Sequence, residues 1–316
     1  MVDERGAAPR TLDRASVRRA FERAASTYDA AAVLQREVGR RMEERLGVVR
    51  VAPSTILDAG CGTGAMLPAL QARYPQARLV GLDLAQAMTA AAARRRFTAG
   101  GVRALPQRVL RALVDSRRPR RWLVCGDVCR LPIRSRVIDL VWSNLTLQWI
   151  DDLPAALAEF SRVLEVGGLV SFTTLGPDTL KELRQAFAAA DDAVHTSRFV
   201  DMHDIGDMLL QAGFADPVMD MEMITMTYGD PLALMRDLKS LGAQNARLER
   251  RRGLTGRDRW QRMLAAFEGF RRDGRLPATF EVVYGHAWKG EPRFADDGRA
   301  IVRLERQPAA RAATKR

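Results

Sequence analysis

The 316-residue sequence predicts an α/β fold, a doubly wound and mostly parallel sheet of seven strands with helices on both faces. Three observations carry that expectation. First, Thr55-Ile-Leu-Asp-Ala-Gly-Cys-Gly-Thr-Gly64 reads as an apolar strand that ends at Asp58 and breaks into a turn. Gly60, Gly62 and Gly64 let that turn pass close to a ligand and enter a helix. Second, the apolar run Arg78-Leu-Val-Gly-Leu82 follows at the spacing of a βαβ unit and ends in another acid, Asp83. Third, apolar runs at 121–125, 137–142 and 169–174 alternate with helical periodicity, as parallel strands covered on both faces do.

The elements follow in order. Residues 1–10 have the composition of a disordered end, and 12–47 read as helical. Ser16 is the expected cap of a helix carrying Val17, Ala20, Phe21 and Ala24. After Ala25-Ser-Thr-Tyr-Asp29, a second helix carries Val33, Leu34, Val38, Met42 and Leu46. Residues 1–50 thus form a helical segment ahead of the first strand, in the position of a lid, and 51–316 form the sheet domain. Its strands are expected near 54–58, 78–82, 121–125, 137–142, 169–174, 218–227 and 280–288. A helix opens near Ala65 and another spans 84–96, with Met88 turned toward the ligand crevice. The helix at 153–164 stops at Gly167-Gly168. Further helices are expected from Pro177 to Ala190 and up to Gly213. Basic insertions interrupt the sheet domain at about 97–121, with a short helix from Val109 to Val114, and at about 230–278.

Composition excludes several classes. The chain has 47% hydrophobic residues but no run of about 18 apolar residues, so no membrane span is expected. Met1-Val-Asp-Glu-Arg-Gly6 lacks an apolar signal region, and three cysteines suit a reducing compartment, which points to the cytoplasm. Cys125 and Cys129 have ligand-like spacing but no companions, so no metal is expected and the cysteines read as partly buried fillers. The net charge of +12 is concentrated. Ten arginines face one acid between Arg94 and Leu123, and twelve basic residues face five acids between Arg236 and Arg275. Such clusters suit an anionic partner, an acidic protein among them, or a solvated surface. Aromatic residues do not alternate regularly with the arginines, which disfavours a stacked nucleic-acid groove.

Two ligand types compete for the glycine loop. A dinucleotide places a pyrophosphate on the helix N-terminus, but Asp58 just before the turn would repel it. The same acid would accept a hydrogen bond from the ammonium of S-adenosylmethionine, with Asp83 on the ribose hydroxyls. Asp127, after the third strand, would accept from the adenine amino group. Gln35, Leu84, Met88, Val128 and Asn144 complete the candidate cofactor set. After the fourth strand, Ser143-Asn-Leu-Thr-Leu-Gln-Trp149 offers polar, uncharged groups and no obvious base. That suits a nucleophile already ionised at neutral pH, such as a carboxylate. The absence of Asn-Pro-Pro-Tyr, Asp-Pro-Pro-Tyr and Pro-Cys motifs disfavours amide, adenine and cytosine C5 acceptors.

The glycine loop with the acid at 83 resembles the cofactor motifs of class I S-adenosylmethionine-dependent methyltransferases, which have a Rossmann-like sheet. Narrower elements resemble the malonyl-acyl-carrier-protein O-methyltransferases of biotin synthesis: Phe21-x-x-Ala-Ala-x-x-Tyr-Asp29 with Leu34-Gln35, Ser143-Asn-Leu-x-Leu-Gln-Trp149, Val170-x-Phe-Thr-Thr-Leu175 and Asp201-Met-His-Asp-Ile-Gly206. The resemblance covers roughly 16–215. It implies esterification of the free carboxyl of a malonyl thioester on an acidic acyl carrier protein, early in biotin synthesis. Tyr28, Asn144, Gln148 and Arg198 are the candidate catalytic residues. Arg198 would pair with the malonyl carboxylate or with Asp201 or Asp204, and Arg162 is a further candidate for the carboxylate or a surface residue. His203 reads as a turn-fixing residue. The first and last of these elements are also similar to those of a mitochondrial complex I assembly factor associated with arginine hydroxylation, which leaves a protein-modifying enzyme as an alternative.

Overall fold

A computed structural model describes residues 12–95, 121–250, 253 and 255–291. The expected helix at Val109–Val114 and the basic C-terminal tail lie outside the described residues. Seven strands form one sheet in the order β3-β2-β1-β4-β5-β7-β6: β1 Thr55–Ala59, β2 Arg78–Asp83, β3 Arg121–Cys125, β4 Ile138–Ser143, β5 Leu164–Leu175, β6 Phe214–Tyr228 and β7 Leu276–Lys289. Strands β1 to β5 pair in parallel, and β7 runs antiparallel between β5 and β6. The chain order reverses at β1, so the crevice beyond the carboxyl ends of β1 and β4 is where a ligand is expected.

Alternation along each strand sorts the core onto two faces. Ile56, Leu140 and Leu169 join Val38, Met42, Leu70, Trp142 and Phe267 on one side. Their neighbours Leu57, Val141 and Val170 join Leu157, Phe160 and Leu209 on the other. Helices α4 (Leu67–Arg73), α5 (Gln86–Arg94), α6 (Leu153–Val163), α7 (Lys181–Ala188), α8 (Met202–Gln211), α9 (Pro231–Ser240) and α10 (Arg257–Glu268) follow in chain order, after three N-terminal helices. The basic segment expected at 230–278 is therefore α9, a connection and α10, inserted between the two antiparallel strands.

Two expectations need correction. α6 ends at Val163, and β5 starts at once with Leu164 beside Ile138. The glycines belong to an irregularity in which the register shifts before Leu140 meets Leu169, and Gly167 takes φ +77° there. At the N-terminus the cap is Asp13, not Ser16. Its carboxylate accepts from Ser16 N at 3.0 Å and from Ser16 Oγ at 2.6 Å. With Arg250 also at 3.4 Å, these bonds hold the Asp13 carboxyl down at about 2.

The N-terminal helices α1 (Arg14–Ala24), α2 (Tyr28–Ala31) and α3 (Val33–Arg45) lie against the carboxyl edge of the sheet. Glu22 accepts from Gln86 N at 2.7 Å and from Ala87 N at 2.9 Å, and so caps α5 from outside. Asp29 pairs with Arg95 and accepts from Thr63 Oγ1 in the glycine loop. On the other side Asp13 N donates to Ala246 O at 2.8 Å. The segment is thus tied to the glycine loop and to the connection between α9 and α10.

Candidate active site

Backbone shape comes first. Gly60, Gly62 and Gly64 all have positive φ, at +83°, +53° and +73°. Gly60 is the tightest: an added Cβ would lie 2.1 Å from Thr146 Oγ1. Gly60 N and Cys61 N both donate to Leu82 O, at 2.7 and 2.9 Å, which folds the loop over the end of β2. Asp83 fixes the loop from below, accepting from Gly62 N and from Ala85 N at 2.9 Å each. Burial raises its carboxyl despite those two bonds. Asp58 is only 3% exposed, and burial followed by repulsion from Asp83 pushes its carboxyl up to about 8.

Above this loop lies a cavity of about 950 Å³. It brings together Tyr28, Gly60, Gly62, Asp83, Leu84, Met88, Asp127, Val128 and Asn144 from the candidate set. Asp127 accepts from Cys129 N at 3.0 Å and pairs with Arg14 of α1. Asp58 and Gly64 line neither this cavity nor the next. Asp58 sits beneath the loop, and Gly64 packs toward Ala92 and Leu67.

A second cavity of about 360 Å³ adjoins the first, and Phe21, Tyr28, Leu145 and Trp149 line both. Phe21 meets Trp149 edge-on at 5.3 Å and Tyr28 at 6.4 Å, so an aromatic partition separates the chambers. Burial, with Asp83 and Asp29 nearby, raises the Tyr28 phenol and keeps it a neutral donor. Leu145 takes φ +49° at this junction, a left-handed conformation that costs a leucine about 1–2 kcal/mol. Its N–H donates to Thr173 Oγ1 at 2.9 Å and to Thr173 O at 3.2 Å, which holds the strained turn.

The remaining candidates divide. Gln35 lines the second cavity rather than the first, because α3 passes behind the partition. Asn144 Nδ2 donates to Gln35 O at 2.9 Å and its Oδ1 accepts from Thr173 Oγ1 at 2.8 Å, so Asn144 ties α3 to β5. Gln148 also lines the second cavity, and its Nε2 donates to Leu145 O at 2.7 Å. Arg198 is exposed and lines neither cavity, although its neighbours Ser197 and Phe199 line the second. Arg162 is a structural clamp: it pairs with Glu159 at 2.6 Å and donates to Ile133 O at 2.8 Å, which orders the approach to β4. His203 contacts the helix cap Asp201 at 2.7 Å and is exposed. Cys125 is exposed rather than a filler. Among the described residues, no helix is long and apolar enough to cross a membrane and no cluster of His, Cys, Asp and Glu could hold a metal ion.

Sequence reasoning missed several lining residues. The sequence puts Phe21 on its helix without marking it as a wall of the site, and nothing in the motif after β4 singles out Leu145 and Thr146. His195, Lys239 and the Tyr228–Asp237 pair all line the second cavity. Their signal is tertiary, because they come from the connection after α7, from α9 and from β6.

The comparisons agree with this geometry. A family model for a methyltransferase domain matches residues 57–172. A malonyl-[acyl-carrier protein] O-methyltransferase of Laribacter hongkongensis is 55% identical, over 92% of this chain and 95% of its own length. The protein of that name from Gallionella capsiferriformans is 50% identical, over 92% of this chain and 96% of its own. The chain belongs to the malonyl-[acyl-carrier protein] O-methyltransferase family. It carries that family's methyltransferase domain on a Rossmann-like fold. The solved structure of the YcgJ protein from Bacillus subtilis has the same fold, with TM-score 0.53 at 14% identity, over 80% of this chain and all of that one.

The residues of the larger cavity fit a cationic adenosyl ligand. Carboxyls line it at the end of β2, at Asp83, and after β3, at Asp127, while Asp58 is buried beneath the loop. A pyrophosphate on the glycine loop would meet Asp83 in the cavity wall.

Proposed function

We propose that this enzyme uses S-adenosylmethionine to methylate the free carboxyl of a malonyl thioester borne by an acyl carrier protein, in the pimeloyl-forming part of biotin synthesis. The observation that carries the reading is the pair of adjoining cavities divided by Phe21, Tyr28 and Trp149, in a chain about half identical to enzymes of that name. One cavity suits the methyl donor and the other an acyl chain.

When bound, S-adenosylmethionine supplies an electrophilic sulfonium methyl group. Asp83 would take the ribose hydroxyls, Asp127, Met88, Leu84 and Val128 would surround the adenine, and Asp58, once ionised, would hold the cofactor ammonium. The acceptor carboxylate is already an anion at neutral pH, so the site needs no base to create the nucleophile. What remains is orientation and exclusion of water. Tyr28, neutral and shared by both chambers, donates across the boundary. Asn144 and Gln148 act through position: their amides hold α3 and the strained Leu145 turn against β5. Residues 1–50 serve as a lid, because α1 and α2 supply Arg14, Phe21 and Tyr28 to the walls. The basic α9–α10 region gives an acidic carrier protein a complementary approach.

Incubation with methyl-labelled cofactor and malonyl-carrier protein tests this. The expected result is a mass gain of one methyl on the carrier, lost under mild base as an ester. Cofactor binding without transfer would assign the site to another acceptor, with a protein side chain next to be tried.

A further inference from the structure

The second cavity contains an arrangement that the motifs give no hint of. His195 lies on its wall in a connection without regular secondary structure, yet the ring is fixed on two sides. It stacks on Phe187 with ring centres 4.1 Å apart and planes 11° from parallel. Its Nε2 lies 2.6 Å from Asp191 Oδ1. The connection is itself anchored: Ala193 N donates to Asp191 Oδ1 at 3.0 Å, Asn245 Nδ2 to Val194 O at 2.7 Å, and Arg262 Nη2 to Ala190 O at 2.9 Å. The His195 side chain is 14% exposed. With Nε2 committed to Asp191, Nδ1 is the ring nitrogen left for a ligand, and in the doubly protonated ring it is a donor.

The other charged groups of this chamber, Asp237 and Lys239, and the Gln148 amide are less available to an anion. Asp237 is itself an acid and accepts from Tyr228 Oη at 2.8 Å. The Gln148 amide nitrogen is spent on Leu145 O. Lys239 also lines the chamber, but it is exposed, so solvent and salt screen its charge. His195 is therefore the walled group able to carry positive charge toward a bound acyl chain, and Asp191 supplies the countercharge that keeps the ring oriented.

We propose that His195, oriented by Asp191, holds the carboxylate of the acyl substrate in the second cavity and so makes charge the basis for telling substrate from product. The inference rests on the methyltransferase reading above. Methylation converts the carboxylate to a neutral ester. The charge-assisted contact to His195 is then lost, and the product is released from a pocket that would otherwise retain it. An acetyl group, which has no second carboxyl, is refused for the same reason.

The test compares malonyl-, malonyl-methyl-ester- and acetyl-carrier protein in competition binding to wild type, His195→Gln and Asp191→Asn. Cofactor affinity at the other cavity is measured on each variant as a check on folding. Wild type is expected to prefer the malonyl form about tenfold or more, the worth of one charge-assisted hydrogen bond. His195→Gln should bring the three ligands to near parity, raise KM for the malonyl carrier more than it lowers kcat, and leave cofactor affinity unchanged. Asp191→Asn, which keeps the ring but loses its anchor, should give an intermediate preference. Full retention of the preference in His195→Gln would overturn the assignment while leaving the proposed function standing. A wild-type protein that neither prefers nor methylates the malonyl form would overturn both.

Discussion

The two chambers of this site differ in how they are built. The larger one is lined mainly by backbone and side chains at the carboxyl ends of β1 to β4, within short stretches of sequence. The smaller one draws on α1, α3, the turn after β4, the connection after α7, β6 and α9, from Phe21 to Phe280. The first is a property of the sheet, where strand ends and a glycine loop converge whatever decorates them. The second is a property of the decorations. The residues proposed to hold the cofactor can therefore be read from the sequence, while the second chamber becomes visible only when the helices are packed.

The sharpest way to break the comparison is at Gly60. Gly60→Ala places a Cβ on the Thr146 side chain at positive φ, and should cost on the order of 3 kcal/mol locally and abolish cofactor binding. Gly167→Ala has the same sign of φ but nothing within 4 Å, so it should cost only about 1–2 kcal/mol and leave binding intact. Chemical denaturation with parallel cofactor titration distinguishes the two. Equal losses would mean that φ alone, and not the close approach, shapes the loop.

Asp58 comes next. Its carboxyl, pushed up to about 8 in the free protein, must lose a proton to hold the cofactor ammonium. Cofactor affinity should therefore rise with pH, by up to about tenfold per unit, and flatten above pH about 8. The free protein should move the other way. A folded-state value above the unfolded one gives stability that is fully present below pH about 4 and lost as pH rises through about 8. Calorimetry of binding and thermal unfolding across pH 6 to 9 reads both slopes, and Asp58→Asn should remove them while weakening binding.

Smaller effects test the lid and the second chamber. Glu22→Gln weakens the external cap on α5 and should cost about 1 kcal/mol, with faster proteolytic cutting near 25–32. Unchanged cutting would detach α1 from the lid role. Arg198→Ala should change KM for the acyl carrier less than about twofold, as an exposed residue outside both cavities. A large increase would return the carboxylate to Arg198 and weaken the claim that the packed connection around His195 does the selecting.

Particular residues explain what was legible beforehand. All seven strands are legible because their apolar runs are separated by turns and acids, whereas the insertion of β7 between β5 and β6 is seen only in the structure. The ends were read less well where hydrogen bonds overrode composition: Asp13 caps α1 in place of Ser16, and β5 begins before its glycines because Leu164 finds Ile138. In the site, Asp83 and Asp127 lie where strand ends put them. Gln35 lines the second cavity, and α3 is tied there by Asn144 Nδ2 donating to Gln35 O, a contact that sequence spacing does not reveal. Arg198 stands out by its charge, while His195, three residues earlier, does not. Its ring partners Phe187 and Asp191 meet it only because the connection folds back on itself, held in part by Asn245 Nδ2 donating to Val194 O.

The most direct measurement is a structure of the protein with S-adenosylhomocysteine and a non-hydrolysable malonyl-carrier mimic. The adenosyl group is expected over the glycine loop and the acyl chain in the smaller cavity, with its carboxylate held by His195 and turned toward the sulfur across the aromatic partition. An acyl chain bound elsewhere, with the smaller cavity still closed by its own side chains, would contradict the two-chamber account.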